Sequence, residues 1–300
     1  MKINYSKPLL FGALLVSFNA VAQQAPFIDR NHMDLSVKPG DDFYRYASGA
    51  WIKANPVPAK ETRWGSFNLL RDFNINAVKT ILNEAANNKS AAPGSVEKRV
   101  GDFYAAGMDS VTIDRLGYTP IKADLARISK ISDLKGVLNE AATMRTRGAG
   151  SPMFGFFVGQ DRKNVELMIP QLSQGGTTLP DRDYYLKDDA RSQKIREAYR
   201  TYVTRLFTLT GSSEAAAKQN AETIFRIEKS LAEAQMSRVE MRNPHATYNK
   251  FSVAGFSKTT PGMDWKSLMA AMKVTGQDSI LVSAPKFFTA LNGLLTSVPV

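Results

Sequence analysis

Two arginines eight positions apart, Arg63 and Arg71, are the residues whose type and spacing best suit ligand chemistry. On a helical projection Arg71 falls within an apolar arc, where a solvated cation is not expected, and Arg63 projects to the same side if the helix extends back far enough. Two inward-pointing guanidiniums beside Trp64 and Phe67 predict bidentate capture of a carboxylate in a pocket. The structural alternative is that each arginine snorkels from the rim of the core or pairs with a structural aspartate.

Patterns typical of a catalytic site are missing from the sequence. The two histidines, His32 and His245, lie far apart, and neither has a partner at metal-ligand spacing on a helix. His245 stands in RNPHATY, which predicts an exposed turn. The sequence contains no HExxH, GxSxG, P-loop or GxGxxG motif. We therefore predict no catalytic residue and no metal ligand among these 300 residues.

The elements that must position the arginines are mainly helical. The sequence period changes clearly once, in MFGFFVGQDRKNVELMIPQL, which predicts one β-hairpin at about 153–172, while ILVSA is a candidate short strand. The fold class is therefore mainly α. Apolar periodicity and capping residues predict helices at about 43–51, 66–87, 96–108, 120–129, 133–147, 191–209, 213–241, 264–275 and 286–295, with a helix start in DRDYYL.

Residues 1–22 have the features of a signal peptide. Lys2 and Lys7 precede a short apolar run, and small residues mark a cleavage site near Ala22. We expect an exported protein, periplasmic or extracellular, with no stable membrane anchor; an uncleaved anchor is the alternative. Residues 23–40 are expected to form an extended lead-in, and 41–300 the folded region.

Composition narrows the possible partners. The formal net charge is +11, but the basic residues are dispersed, and the export signal argues against nucleic acid. The absence of cysteine excludes disulfides and thiolate chemistry, so stability must come from the core. A basic stripe is expected on a solvated helix face; it comprises Arg191, Lys194, Arg196 and Arg200.

Six motifs, taken together and in order, resemble the neprilysin family of zinc metalloendopeptidases. They are MDLSVKPGDDFYRYASGAWIKANPVP, ETRWGSFNLLR, VGDFYAAGMDS, FGFFVGQDRKN, QGGTTLPDRDYYL and RNPHATYNK. The resemblance covers about residues 29–300 and matches the amino-terminal half of the family. It implies the helical lobe of a two-lobed enzyme that takes oligopeptides into an internal cavity. Zinc would belong to the complete enzyme, in a carboxy-terminal catalytic domain that this sequence lacks.

The resemblance also implies a role for the two arginines. The family motif Arg-aromatic-Gly-x-Phe-Asp-x-x-Arg binds the carboxy-terminal carboxylate of short substrates, and by position it maps to Arg63, Asn68 and Arg71. Asn68 replaces the usual aspartate, which changes the charge of the expected pocket. The 300 residues alone are expected to be inactive. Some of their helix faces are expected to be exposed, because the segments that would pack on them are missing. The alternatives are a non-catalytic exported helical peptide-binding module and a cell-envelope scaffold.

Overall fold

A computed structural model describes residues 28–300. The chain divides into two compact units, Met1–Ser110 and Val111–Val300. The predicted signal peptide, and the first residues of the predicted lead-in, lie outside the described residues. None of the helices in the described part is both long and apolar enough to cross a membrane.

The first unit is helical, with bounds close to those that the sequence predicted. The predicted lead-in includes a 3-10 turn at Arg30–His32 rather than being extended throughout. The Asp42 side chain accepts a hydrogen bond from the backbone N–H of Arg45, which caps the first helix. The α-helices are α1 (Phe43–Ala54), α2 (Ser66–Asn87) and α3 (Val96–Met108).

Gly101 lies at a close approach between α2 and α3. A Cβ atom built on Gly101 would lie 2.3 Å from the carbonyl oxygen of Ala85, so the two helix backbones approach closely. Ala85 and Gly101 are the only buried residues among those described in this unit. The α2–α3 pairing therefore requires glycine at this point, where a side chain would collide with the α2 backbone.

The second unit holds most of the buried residues. Its α-helices are α4 (Ser110–Leu116, starting at the division between the units), α5 (Lys122–Ile128), α6 (Leu134–Thr146), α7 (Asp183–Leu186), α8 (Ala190–Leu209), α9 (Glu214–Ala234), α10 (Val253–Thr259), α11 (Trp265–Ala271) and α12 (Pro285–Ser297). Helices α4 and α10 were not predicted from the sequence. The predicted end of α9 at Met241 is wrong, because the chain leaves the helix at Gln235 and forms a 3-10 turn at Glu240–Arg242.

The predicted hairpin is confirmed, but it belongs to a larger sheet. The strands are β1 (Phe154–Asp161), β2 (Asn164–Gln174), β3 (Asn249–Ser252) and β4 (Ser279–Val282), in the order β1-β2-β4-β3. The β1–β2 and β3–β4 pairs are antiparallel, and β2–β4 is parallel. The predicted ILVSA strand is β4. The class is mainly α, as expected.

An aromatic cluster forms the centre of the second unit. The Trp265 ring lies 5.3 Å from that of Phe154, 5.4 Å from that of Phe256 and 5.7 Å from that of Phe288, centroid to centroid. The indole N–H of Trp265 donates to the hydroxyl of Thr260 at 2.9 Å, so its buried polar atom is satisfied. These contacts join β1, α10, α11 and α12 in one core.

The prediction that the α8 basic stripe is solvated is wrong for two of its four residues. The Arg196 side chain is only 11% exposed and donates to the carbonyl oxygens of Tyr184 and Lys187, at the end of α7. Arg200 lies over the Phe225 ring at 3.8 Å. The cause is non-local packing of α7 and α9 against α8, which helical periodicity does not report.

A buried carboxylate joins the hairpin tip to β3. Asp161 is 1% exposed and accepts hydrogen bonds from the backbone N–H of Lys163, the ammonium of Lys250 and the hydroxyl of Tyr248. These donors, the Lys163 N–H foremost, lower the pKa of Asp161 to about 2. The carboxylate therefore holds together segments almost ninety residues apart.

Replacing Gly101 with alanine should destabilise the first unit by about 1–3 kcal/mol, because the new methyl group collides with the α2 backbone. The matched control is Gly107→Ala on the same helix, where nothing lies within 4 Å of the added atom. That variant should gain about 0.5–1 kcal/mol from helix propensity. Urea denaturation followed by circular dichroism measures both. Equal effects of the two substitutions would contradict the close helix contact.

The Asp161 carboxylate should stabilise the fold above its ordinary pKa of 3.8. Because its pKa is depressed to about 2, that stabilisation should be lost as the pH falls from about 4 to 2. Asp161→Asn should lower the urea midpoint at pH 7, and the difference from the unsubstituted protein should shrink as the pH falls through this range. Asp188→Asn, at a side chain that is 90% exposed, is the control and should leave the midpoint nearly unchanged. A constant difference for Asp161→Asn between pH 7 and pH 2 would contradict this linkage.

Candidate functional site

The three residues predicted to bind substrate line one cavity in the first unit. Its volume is about 740 Å³, and Arg63, Asn68 and Arg71 all contribute to its wall. Residues 61–68 form the rest of the lining, including the Trp64 and Phe67 rings beside the arginines. The cavity therefore joins a loop and the first turns of a helix.

The local chain path explains how the two arginines reach the same concave surface. Pro56 and Pro58 end α1 and hold the following segment away from helical geometry. Gly65 has an extended backbone and its carbonyl accepts the N–H of Asn68, which starts α2. Arg63 thus precedes the helix, while Arg71 lies in its second turn. A continuous helix through both positions, one of the possibilities in the sequence, is not what forms.

Arg71 is paired with two carboxylates of its own chain. Its Nη2 atom donates to Glu61 Oε1 at 2.9 Å, and its Nε atom donates to Asp72 Oδ1 at 3.1 Å. The Glu61 hydrogen bond, followed by that of Asp72, raises the pKa of Arg71 further above its ordinary value. The acidic pairing that the sequence left open as an alternative is therefore present, with Glu61 and Asp72 as the partners.

Arg63 has a different environment. Its side chain is exposed, and among the described residues it makes no ion pair or hydrogen bond. Its guanidinium keeps all five N–H donors for a ligand or for water. The cavity therefore presents one cation with free donors and one whose donors are partly occupied.

The expectation that the arginines point into a buried apolar face is wrong. Phe67 is 86% exposed, and Leu70, Phe73 and Ile81 on the same arc of α2 are also exposed. Arg71, with a side chain 45% exposed, lies among accessible apolar groups rather than inside a core. The helical projection identified the shared face correctly, but periodicity cannot say whether anything packs on it.

Chemically, this arrangement suits anion binding better than bond cleavage. Two guanidiniums with an indole and a phenyl ring offer planar donors and apolar contact to a carboxylate on an organic ligand. Within the described range, no three His, Asp or Glu side chains converge as metal ligands. His245 is exposed in a turn, as predicted, and His32 contacts Asp29 at 3.5 Å.

Glu61 is the residue of this site that no sequence pattern predicts. It lies in the loop, ten positions before Arg71, and its side chain is 21% exposed. No periodicity links a loop position to a helix position at that distance. The only available signal was that this acidic residue lies just before the first arginine.

A second cavity lies within the second unit. Its volume is about 910 Å³, and its wall is largely apolar, with Tyr118, Leu125, Tyr202, Leu206 and Ile224 among the lining residues. No sequence pattern predicts this cavity, because its lining comes from α5, α8, α9 and the connecting segments between elements. The buried carboxylate of Glu228 also borders it.

The Glu228 carboxylate is fully used by the protein. One oxygen accepts from the N–H and hydroxyl of Thr178, at 3.2 and 2.7 Å. The other accepts from the Tyr185 and Tyr199 hydroxyls, at 2.7 and 2.8 Å. Burial, together with this carboxylate, raises the pKa of both phenols, so they remain donors. Glu228 therefore joins α7, α8 and α9 rather than offering a free charge to a ligand.

Comparison with known proteins assigns this chain to a peptidase family. Residues 39–300 match the family model described as Peptidase family M13. Neprilysin-3 of Drosophila melanogaster is 28% identical over 279 residues, which are 88% of this chain and 35% of that protein. Endothelin-converting enzyme 1 of Rattus norvegicus is 28% identical over 277 residues, or 89% of this chain and 36% of that protein.

Solved structures give the same result. The zinc metalloprotease Zmp1 of Mycobacterium tuberculosis, in complex with an inhibitor, superposes with a TM-score of 0.80 at 27% identity. The match covers 90% of this chain and 41% of Zmp1. The chain thus spans well under half the length of the relatives that it matches.

The carboxylate beside the second cavity can be tested by substitution. Glu228→Gln should destabilise the protein by about 1–3 kcal/mol. The glutamine side chain puts an amide NH₂ group in place of one carboxylate oxygen, and a donor there cannot accept the hydrogen bonds that Glu228 receives. Glu222→Gln on the same helix is the control; that side chain is 60% exposed, and its loss should cost less than about 1 kcal/mol. Thermal unfolding measures both. If Glu228→Gln lowers the free energy of unfolding no more than Glu222→Gln does, the four hydrogen bonds of Glu228 contribute no measurable stability.

Proposed function

The chain belongs to peptidase family M13, as its neprilysin-like motifs predicted, and we propose that it forms the substrate-binding, amino-terminal part of an exported zinc metalloendopeptidase acting on oligopeptides. The observation that carries the proposal is the cavity shared by Arg63, Asn68 and Arg71. Two guanidiniums on one concave surface match the chemistry of a peptide's terminal carboxylate.

Zinc would have to be held elsewhere in the complete protein. The described residues do not fit a zinc site, since no cluster of three His, Cys, Asp or Glu side chains occurs among them. In this proposal the catalytic domain corresponds to the part of the relatives, more than half of their length, that this chain does not match.

Binding at the cavity would orient the substrate rather than break its bond. A terminal carboxylate held by Arg63, and by Arg71 once its pairing is rearranged, fixes the end of the peptide. The Trp64 and Phe67 rings lie beside that position and can contact the last side chain. Such contacts are present in the ground state and the transition state alike, so they lower KM more than they raise kcat.

Two further features belong to the proposal. Export is supported by the basic, apolar and small-residue pattern of residues 1–22. Substrate enclosure is what the neprilysin resemblance implies, and the match to Zmp1, which covers 90% of this chain and 41% of that protein, leaves room for a second lobe. The helical units would then form part of the wall around an oligopeptide, which limits access by folded proteins.

Arg71→Ala in the full-length protein should raise KM roughly tenfold for short peptides that end in a free carboxylate, because a charge-assisted hydrogen bond is lost. The same peptides with an amidated end should be affected much less. Lys79→Ala, an exposed cation on the same helix, is the matched control and should leave both substrates unchanged.

Steady-state kinetics on matched acid and amide peptides decides this test. Equal losses on the two peptides would argue against carboxylate binding at Arg71. If the full-length protein cleaves no peptide yet still prefers acid over amide in binding, the non-catalytic peptide-binding module becomes the better description.

A further inference from the structure

We propose that Glu61 sets the ligand specificity of the arginine cavity, by occupying Arg71 in the free protein and yielding that guanidinium only to a competing carboxylate. This inference rests on the proposed function, since it concerns the same cavity. It adds a residue and a selection rule: the cavity favours a ligand with one carboxylate and disfavours further negative charge.

Three contacts show which part of the Arg71 guanidinium is occupied. Asp72 Oδ1 lies 3.1 Å from Nε and 3.0 Å from Nη2, so it covers the side edge of the planar group. Glu61 Oε1 takes another Nη2 hydrogen at 2.9 Å. Among the described residues, nothing accepts a hydrogen bond from Nη1. The end edge, formed by Nη1 and Nη2, is the remaining bidentate face, and Glu61 holds half of it.

Only one of the two acidic partners lies in the wall of the cavity. Glu61 lines it, whereas Asp72 does not. A carboxylate arriving through the cavity therefore meets Glu61 at the Nη2 hydrogen, while Asp72 can keep its hold on the other edge. Displacing Glu61 breaks one ion pair whose side chains are both partly exposed, 45% for Arg71 and 21% for Glu61, and a ligand's bidentate contact can replace that pair.

Charge in the cavity supports the selection rule. Among the lining residues, Arg63 and Arg71 are the basic side chains and Glu61 is the acidic one. Ser66 and Asn68, the other polar lining residues on α2, are neutral. Arg71 is already paired with Glu61 and Asp72. Within the described part of the chain, Arg63 is therefore the lining cation without an acidic partner, which suits a single carboxylate. The Glu61 charge repels a second anionic group brought in by the same ligand.

The experiment measures direct binding to the full-length protein at constant ionic strength. The probes are a short fluorescent peptide with a free terminal carboxylate, its amidated twin, and a version with glutamate as the last residue. Glu61→Gln should tighten binding of the free acid about two- to fivefold and leave the amide unchanged. The glutamate-ended acid should gain more than the neutral-ended one.

Asp72→Asn is the matched control, since it removes the other acidic partner of Arg71 without altering the cavity wall. It should not tighten binding of the free acid. Glu61→Asp keeps the charge but shortens its reach, so it should tighten binding less than Glu61→Gln does. This second variant also gives a readout if the glutamine substitution disturbs folding.

The outcomes separate this inference from the proposed function. If the unsubstituted protein prefers acid over amide and Arg71→Ala removes that preference, the proposed site stands. If Glu61→Gln then leaves acid binding unchanged, or if Asp72→Asn tightens it equally, the role assigned to Glu61 is wrong. If the unsubstituted protein and both Glu61 variants bind acid and amide alike, carboxylate recognition by the cavity is itself wrong.

Discussion

A guanidinium keeps its positive charge at every physiological pH, and this constraint shapes the candidate site. Arg71 lies on an accessible helix face among apolar groups, and two carboxylates of its own chain meet its donors. Asp72 is supplied by the helix itself, and Glu61 by the loop before it. In this site the protein's own carboxylates therefore use part of the Arg71 donors, and the remaining donors of Arg71 and those of Arg63 are left to bind an anion.

The two units differ in how many of their side chains are buried. The second unit packs a cluster of aromatic rings between its sheet and its helices, and its buried charges, Asp161 and Glu228, are surrounded by donors. The first unit buries little among its described residues, and its two long helices meet where Gly101 removes side-chain bulk. The residues that would bind a ligand belong to this sparsely packed unit, where side chains can exchange partners at small cost.

Most helix bounds follow from local signals. The ends of α2 and α3 match the predicted residues because Gly65 and Ser95 provide starting points that depend on nearby residues alone. By contrast, β3 has only four residues, and its pairing with β4 comes from far along the chain. The end of α9 was misjudged because Gln235 turns to donate to Gly175, a contact 60 residues away.

The sequence by itself determined the family, the mainly helical class and the shared placement of Arg63, Asn68 and Arg71, since these depend on residue identity, order and local periodicity. Tertiary structure alone decided that the apolar arc of α2 is exposed, that Arg196 is tied to α7, and that Glu61 pairs with Arg71. The physical reason is that burial and ion pairing depend on which segments pack together in the fold, including loops against helices and segments far apart in the chain. A one-dimensional pattern records which side chains share a face, but not what that face meets.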